Sequence, residues 1–341
     1  MKKTLSLILL VLLLIAGYIG WKILGPTVKE PEDHYFFIYT GDRYDSVKTR
    51  LLRQKIISNA FWFDQTAKKL NYPSRIKAGR YRIKENMSLT ELVRMLRSGN
   101  QAPIDLVINK IRLKEDLARL VGKRFECDSA RMAAFLYNAD SLKKYGLDTT
   151  TVLTAVFPNT YSYLWNSTPQ RIFEKLVNES EKFWNVTRKQ KAGALGLSPA
   201  QVYTLASIID EETNYAPEKP QIASVYLNRL SRNMPLQADP TLKYSLRDFG
   251  LKRLLNVHKK TDSPYNTYKN TGLPPGPICT ALPATVDAVL NAPNTNYLYF
   301  VAKSDFSGSH IFTSEYADHL KYARLYQKAI DSLLKAKQNA K

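Results

Sequence analysis

LASIIDEET, Leu205 to Thr213, runs an apolar helical stretch into three consecutive acids, Asp210, Glu211 and Glu212. Just upstream, Ser198-Pro199 has the form of a helix start, with a hydroxyl at the cap and proline at the first helical position. On a wheel of about 100° per residue, Val202, Ile208 and Ile209 fall within roughly 60° of Leu205. Glu212 sits about 20° to one side, whereas Glu211 and Asp210 lie more than about 100° away. Glu212 alone shares the apolar face. Carboxylates at a helix C-terminus oppose the helix dipole, so stability by itself does not account for the triplet. A carboxyl lodged against Leu205 and Ile209 loses water, and its pKa rises into the range of a general acid. Glu212 is therefore the candidate catalytic residue, against the plainer reading of three surface acids.

The surrounding chain sets the context. Its 341 residues are 44% hydrophobic, with 21 Tyr and 13 Phe, enough to bury two or three cores. Fifty Lys and Arg against 30 Asp and Glu give a formal charge of +20, which favours a polyanionic partner or surface. An arginine-rich arm, a paired zinc-ligand motif and a glycine-punctuated aromatic RNA motif are all absent, which argues against nucleic acid. Cys127 and Cys279 stand outside any CxxC and are either two buried thiols or one bridge. His310 and His319 have no third ligand near them, so packing and hydrogen bonding are expected rather than a metal. No cofactor is expected.

Thr4 to Trp21 carries no charge and follows Lys2-Lys3, with Lys22 after it. This run is long enough to span a bilayer, and Trp21-Lys22 suits the far interface. A cleaved signal peptide is the alternative; without a convincing small-x-small site, an uncleaved single-pass anchor is expected. The lysines place its N-terminus in the cytoplasm. The remainder then lies in the periplasm, on the outer side of the inner membrane.

The expected fold is α+β: residues 1–25 as cytoplasmic tip and transmembrane helix, 26–33 as linker, and 34–103 as a small subdomain. Residues 104–156 form a connecting segment, 157–330 a larger mixed α/β catalytic domain, and 331–341 a basic tail. In the small subdomain, Tyr35 to Tyr39 and Gly79 to Ile83 read as strands, and 44–55 and 59–70 as helices. Ser88 caps a helix over 89–97 that Gly99 stops. The strand-helix-helix-strand order and the phrase IKAGRYRI (76–83) resemble the LysM-type glycan-binding module. Further on, 169–184 and QIASVYLNRL (221–230) read as helices, with Asn228 and Arg229 at the edge of the second. Asp239 reads as the cap of a helix opened by Pro240. The Pro-, Asn- and Tyr-rich loop 263–277 is of a kind that lines sugar sites.

Six motifs, LASIIDEET, IASVYLNRL (222–230), LQADPTLKY (236–244), SPYNTYKNTGLPPGPI (263–278), YLYFVA (297–302) and HIFTSEYADH (310–319), occur in one order. In that order the chain resembles the endolytic murein transglycosylase family, the YceG-like proteins. The likeness is close over roughly 155–325. Asp210 stands where the family usually has the first glutamate of its E-x-E-T pattern, and Asn159 where it usually has aspartate. The resemblance implies a lyase of peptidoglycan in which Glu212 is the catalytic acid. Glu212 would protonate the oxygen between MurNAc and GlcNAc, then take the C6 hydroxyl proton as that oxygen closes on C1. A 1,6-anhydro end results, with no water consumed. It further implies peptidoglycan strands as substrate, a place beside peptidoglycan synthesis enzymes and a role in ending nascent strands. Gln237, Asp239, Asn266 and Tyr268 are the candidates for holding the glycan. Two other readings stay open, a non-catalytic wall-binding scaffold and an inverting muramidase in which Asp239 activates water.

Overall fold

The computed structural model describes residues 2–251 and 254–339. Compactness divides them into two units: residues 1–106, 121–128 and 161–168, and residues 107–120, 129–160 and 169–341.

The first unit begins with α1 (Lys2–Leu24), the one helix among the described residues long and apolar enough to cross a membrane. Strand β1 (Tyr35–Ile38) pairs antiparallel with β2 (Gly79–Arg82), with α2 (Tyr44–Arg53) and α3 (Ala60–Lys69) between them in the chain. Alternation of inward Phe36, Ile38, Tyr81 and Ile83 with outward residues follows from the two-residue repeat of a strand. Those inward side chains join Leu51, Phe63, Tyr72 and Leu92 in one core. Helix α4 (Leu89–Ser98) starts on a complete capping box, Ser88 with Glu91, and ends on Gly99 in the left-handed conformation that glycine adopts without penalty. These elements lie where the sequence pattern placed them, within two residues at each end.

The chain changes unit within β3 (Ile104–Ile108), α5 (Lys114–Gly122) and, on return, β4 (Asn159–Tyr163). The second unit contains α6 (Ser129–Tyr137), α7 (Ala139–Lys143), α8 (Pro169–Phe183), α9 (Val186–Ala194) and α10 (Pro199–Glu212). After them come α11 (Lys219–Ser231), α12 (Asp239–Leu246), α13 (Pro283–Leu290), the antiparallel pair β5 (Tyr299–Ala302) and β6 (His310–Thr313), and α14 (Tyr316–Asn339). The architecture is mixed α and β, with α10 at its centre in contact with α9, α11, α12 and α13.

That centrality revises the wheel. Every residue of α10 from Val202 to Asp210 is buried, so the helix has no single apolar face. Asp210, placed by the wheel on the outer side, is 3% exposed. Cys127 and Cys279 are both buried and form no disulfide with each other, which decides between the two readings left open for them.

Candidate active site

The acidic triplet separates into three environments. Asp210 accepts from Lys219 Nζ at 2.5 Å, from Thr285 Oγ1 at 2.6 Å and from the Leu282 backbone N–H at 2.7 Å. Leu282 precedes α13 and has no capping side chain of its own, so Asp210 supplies the anion that the N-terminus of α13 lacks. Glu211 turns to Arg112, whose Nη2 donates at 2.8 Å, and Lys110 lies 3.1 Å away. Two of the three acids thus hold neighbouring segments to the end of α10.

Glu212 does neither. Its Oε1 accepts from the Tyr226 hydroxyl at 2.6 Å, and the carboxyl faces a cleft of about 650 Å³. Burial pushes its pKa up to about 7 and the nearby charge of Asp239 adds to the rise, against the opposing hydrogen bond from Tyr226. Tyr226, one of the inward residues of α11, is 2% exposed, and burial drives its hydroxyl well above the usual phenol range. It acts as a fixed donor. A carboxyl raised into this range can carry a proton near neutral pH, the condition a general acid needs.

The cleft wall is built by α11, the 236–239 turn, the 259–268 loop, β5 and the start of α14. It includes Arg229, Gln237, Asp239, Lys259, Tyr268, Tyr299, Tyr316 and His319. The turn alternates buried Leu236 and Ala238 with exposed Gln237 and Asp239, which puts both polar side chains on the cleft. Gln237 has a φ of 53°, a left-handed conformation costly to a side chain with a Cβ. Two bonds to Thr267 hold it there: Gln237 N–H donates to the Thr267 carbonyl at 3.0 Å, and Ala238 N–H to its hydroxyl at 3.0 Å.

Asp239 is not the helix cap its position suggested. Ala238 occupies the cap, and Asp239, the first residue of α12, accepts from the Tyr268 hydroxyl at 2.5 Å. Asn266 also departs from expectation. It is fully buried, and its amide donates to the carbonyls of Lys259 at 3.0 Å and Thr261 at 2.7 Å, while its Oδ1 accepts from Tyr268 N–H. Asn266 shapes the loop that carries Tyr268 and does not reach the cleft.

Arg229 and His319 are among the cleft residues that the sequence reading did not place at the site. Arg229, placed at the edge of its helix by pattern, is 8% exposed, with Nε on the Leu298 carbonyl at 2.7 Å and Nη1 on that of Leu236 at 2.8 Å. It makes no ion pair among the described residues, so a desolvated cation stands in the cleft beside the Tyr299 ring, 5.2 Å from its centroid. His319 stacks on Tyr299 at 5.3 Å and Tyr316 at 6.1 Å; burial and the Arg229 charge lower its pKa. Arg229 lies one turn from buried Val225 and Tyr226, but its neighbours Asn228 and Leu230 are only half-buried and Arg232 is exposed, so the pattern of IASVYLNRL carried no clear signal for it. His310 lies elsewhere, with Nδ1 2.8 Å from Glu218.

The YceG-like family model matches residues 36–325. The endolytic murein transglycosylase of Bacillus subtilis is 30% identical over 326 residues, covering 90% of this chain and 89% of that protein. A Streptococcus pneumoniae protein of the same name is 26% identical over 92% of this chain, which spans 63% of that protein's length. The crystal structure of a YceG-like protein from Listeria monocytogenes, 26% identical, matches with a TM-score of 0.57 over 85% of this chain and 99% of its own. The residues that build the cleft lie inside the matched range, and the chain belongs to the YceG-like family.

Proposed function

We propose that this protein is an endolytic peptidoglycan lytic transglycosylase, a lyase that cuts the MurNAc-GlcNAc bond and leaves 1,6-anhydroMurNAc ends, with Glu212 as its acid and base. The observation that carries the assignment of Glu212 is a carboxyl with its pKa raised to about 7, facing the cleft. When Glu212 is protonated, Tyr226 occupies Oε1 and leaves Oε2 to deliver the proton to the glycosidic oxygen. Once ionised, the same carboxylate keeps the Tyr226 bond and draws the proton from the C6 hydroxyl as its oxygen closes on C1. Attack from within the same sugar has a high effective concentration, so no second carboxylate has to activate water. Gln237, Asp239 and Tyr268 hold the glycan, with Tyr299 and Tyr316 offering apolar faces to the rings and Arg229 donating to oxygens of the sugar substituents. Asn266 serves indirectly, through the loop.

Helix α1 anchors the protein in the inner membrane as a single pass, with its N-terminus cytoplasmic and the chain after it outside. The order β1-α2-α3-β2 with its antiparallel pair supports a LysM-like role for the first unit in gripping glycan. A membrane-held endolytic enzyme meets strands as they are made, which supports a role in ending their elongation beside the synthesis enzymes. Mass spectrometry of the products from purified peptidoglycan is the test. Anhydro ends are expected; reducing ends would favour water activated by Asp239, and intact strands a non-catalytic scaffold.

A further inference from the structure

The outer end of α1 does not stand apart from the first unit. Thr90 Oγ1 of α4 donates to the Ile23 carbonyl at 3.1 Å, and the Tyr18 ring meets Trp62 of α3 edge-on at 6.2 Å. Beyond the helix, Val28 N–H donates to the Met87 carbonyl at 3.0 Å. Where α1 meets α3 and α4 there is a groove of about 480 Å³. Gly20, Ile23 and Leu24 of α1 form part of its lining, and Lys68, Lys69 and Arg94 contribute cations to it. Those three side chains belong to exposed residues and make no ion pairs among the described residues. On α3, Phe61 is 57% exposed and packs at 5.1 Å on Trp62, the ring that meets Tyr18 of α1; exposed aromatics of this kind suit a membrane interface.

We propose that this groove binds the headgroup of an anionic phospholipid from the membrane that α1 enters. The inference rests on reading α1 as an anchor. If α1 spans, its last turn lies at the hydrocarbon boundary; α4, hydrogen-bonded to that turn, and α3, whose Trp62 ring meets Tyr18, then lie at headgroup level. A phospholipid supplies both things the groove asks for: a glycerol and upper acyl chain against Ile23 and Leu24, and a phosphate within reach of the three cations. Glycan polymer has no acyl chain to place there. A free phosphate leaves the apolar part unused.

The test uses the full chain in detergent micelles, titrated with phosphatidylglycerol, phosphatidylcholine or inorganic phosphate and followed by native mass spectrometry. Phosphatidylglycerol is expected to be retained in preference to phosphatidylcholine. The triple variant Lys68→Gln, Lys69→Gln, Arg94→Gln should lower phosphatidylglycerol affinity by roughly fivefold per cation removed. Its phosphatidylcholine binding should not change, and its far-ultraviolet dichroism and glycan cleavage should match the parent, since none of the three lies in the catalytic cleft. Equal retention of the two lipids, an unchanged triple variant, or displacement of the lipid by equimolar phosphate would each overturn the proposal. Carbonate extraction of the same chain from phosphatidylglycerol vesicles separates the two levels. Release from the vesicles defeats the anchor reading and the groove with it; retention without lipid preference defeats the groove alone.

Discussion

Three adjacent acids at the end of α10 do three different things, and a single isosteric change at each separates them. Glu212→Gln keeps the size of the side chain and an oxygen for Tyr226 but cannot carry the proton. Release of anhydro-muropeptides should fall by roughly 10⁴-fold, the upper end for a lost general acid, since the same group also serves as base. The wild-type rate should decline above about pH 7, as the carboxyl loses its proton. Stability carries an opposite mark. A carboxyl at 4.5 in the unfolded chain and about 7 in the folded one binds more protons when folded, so its contribution is fully present below about 4.5 and is lost as pH rises through 7. Glu212→Gln removes that loss and should be the more stable protein at pH 8, by on the order of 2–3 kcal/mol at most, in urea melts at pH 5 and pH 8. Asp210→Asn should behave differently. It leaves the buried Lys219 ammonium without its counter-charge and should cost about 3–5 kcal/mol of stability, measurable in the same melts. Unchanged stability in that variant would contradict the buried ion pair.

At the scale of elements, the cleft depends on a turn held in a costly conformation. Gln237 sits at a φ of 53° because the two bonds to Thr267 over-determine the backbone there. Gln237→Gly should relieve about 1 kcal/mol of strain and raise the melting temperature, yet raise KM for glycan strands by removing a cleft amide. A variant that is less stable with KM unchanged would show that Gln237 packs and does not bind. Helix boundaries were legible beforehand because they rest on local chemistry: the Ser88 and Ser198 capping boxes and the left-handed Gly99 need no distant partner. The faces of α10 and α11 were not. A wheel assumes one wet side, and helices packed on several sides have none, so Asp210 and Arg229 were misplaced for one reason. Asp239 was misread through a related gap, because a capping residue and a cleft residue have the same local sequence.

For the whole molecule, the anchor and the chemistry belong to separate parts of the chain. Deleting residues 1–25 should give a protein that cleaves purified glycan at the parental rate and no longer sediments with membranes after a high-salt wash. If the shortened chain stays with the membrane fraction, a second attachment exists and the topology proposed above is wrong. The first change of unit comes at 106/107, and residues 121–128 and 161–168 return to the first unit. Such returns are set by long-range packing and leave no local trace.

The sequence by itself determined the apolar first helix, the strand-helix-helix-strand order of the first unit, the helix starts and stops, and Glu212 as the acid to examine. Each of these is written in residues close together in the chain, through hydrophobic period, capping chemistry or a quoted motif. Only the tertiary structure decided what surrounds each acid. Lys219 and Thr285 come from two other helices to bury Asp210, Arg112 comes from a distant segment to pair with Glu211, and Tyr226 crosses from α11 to leave Glu212 half desolvated on the cleft. A carboxyl's proton affinity depends on the water, charges and donors within a few ångströms of it, and those neighbours are assigned by folding.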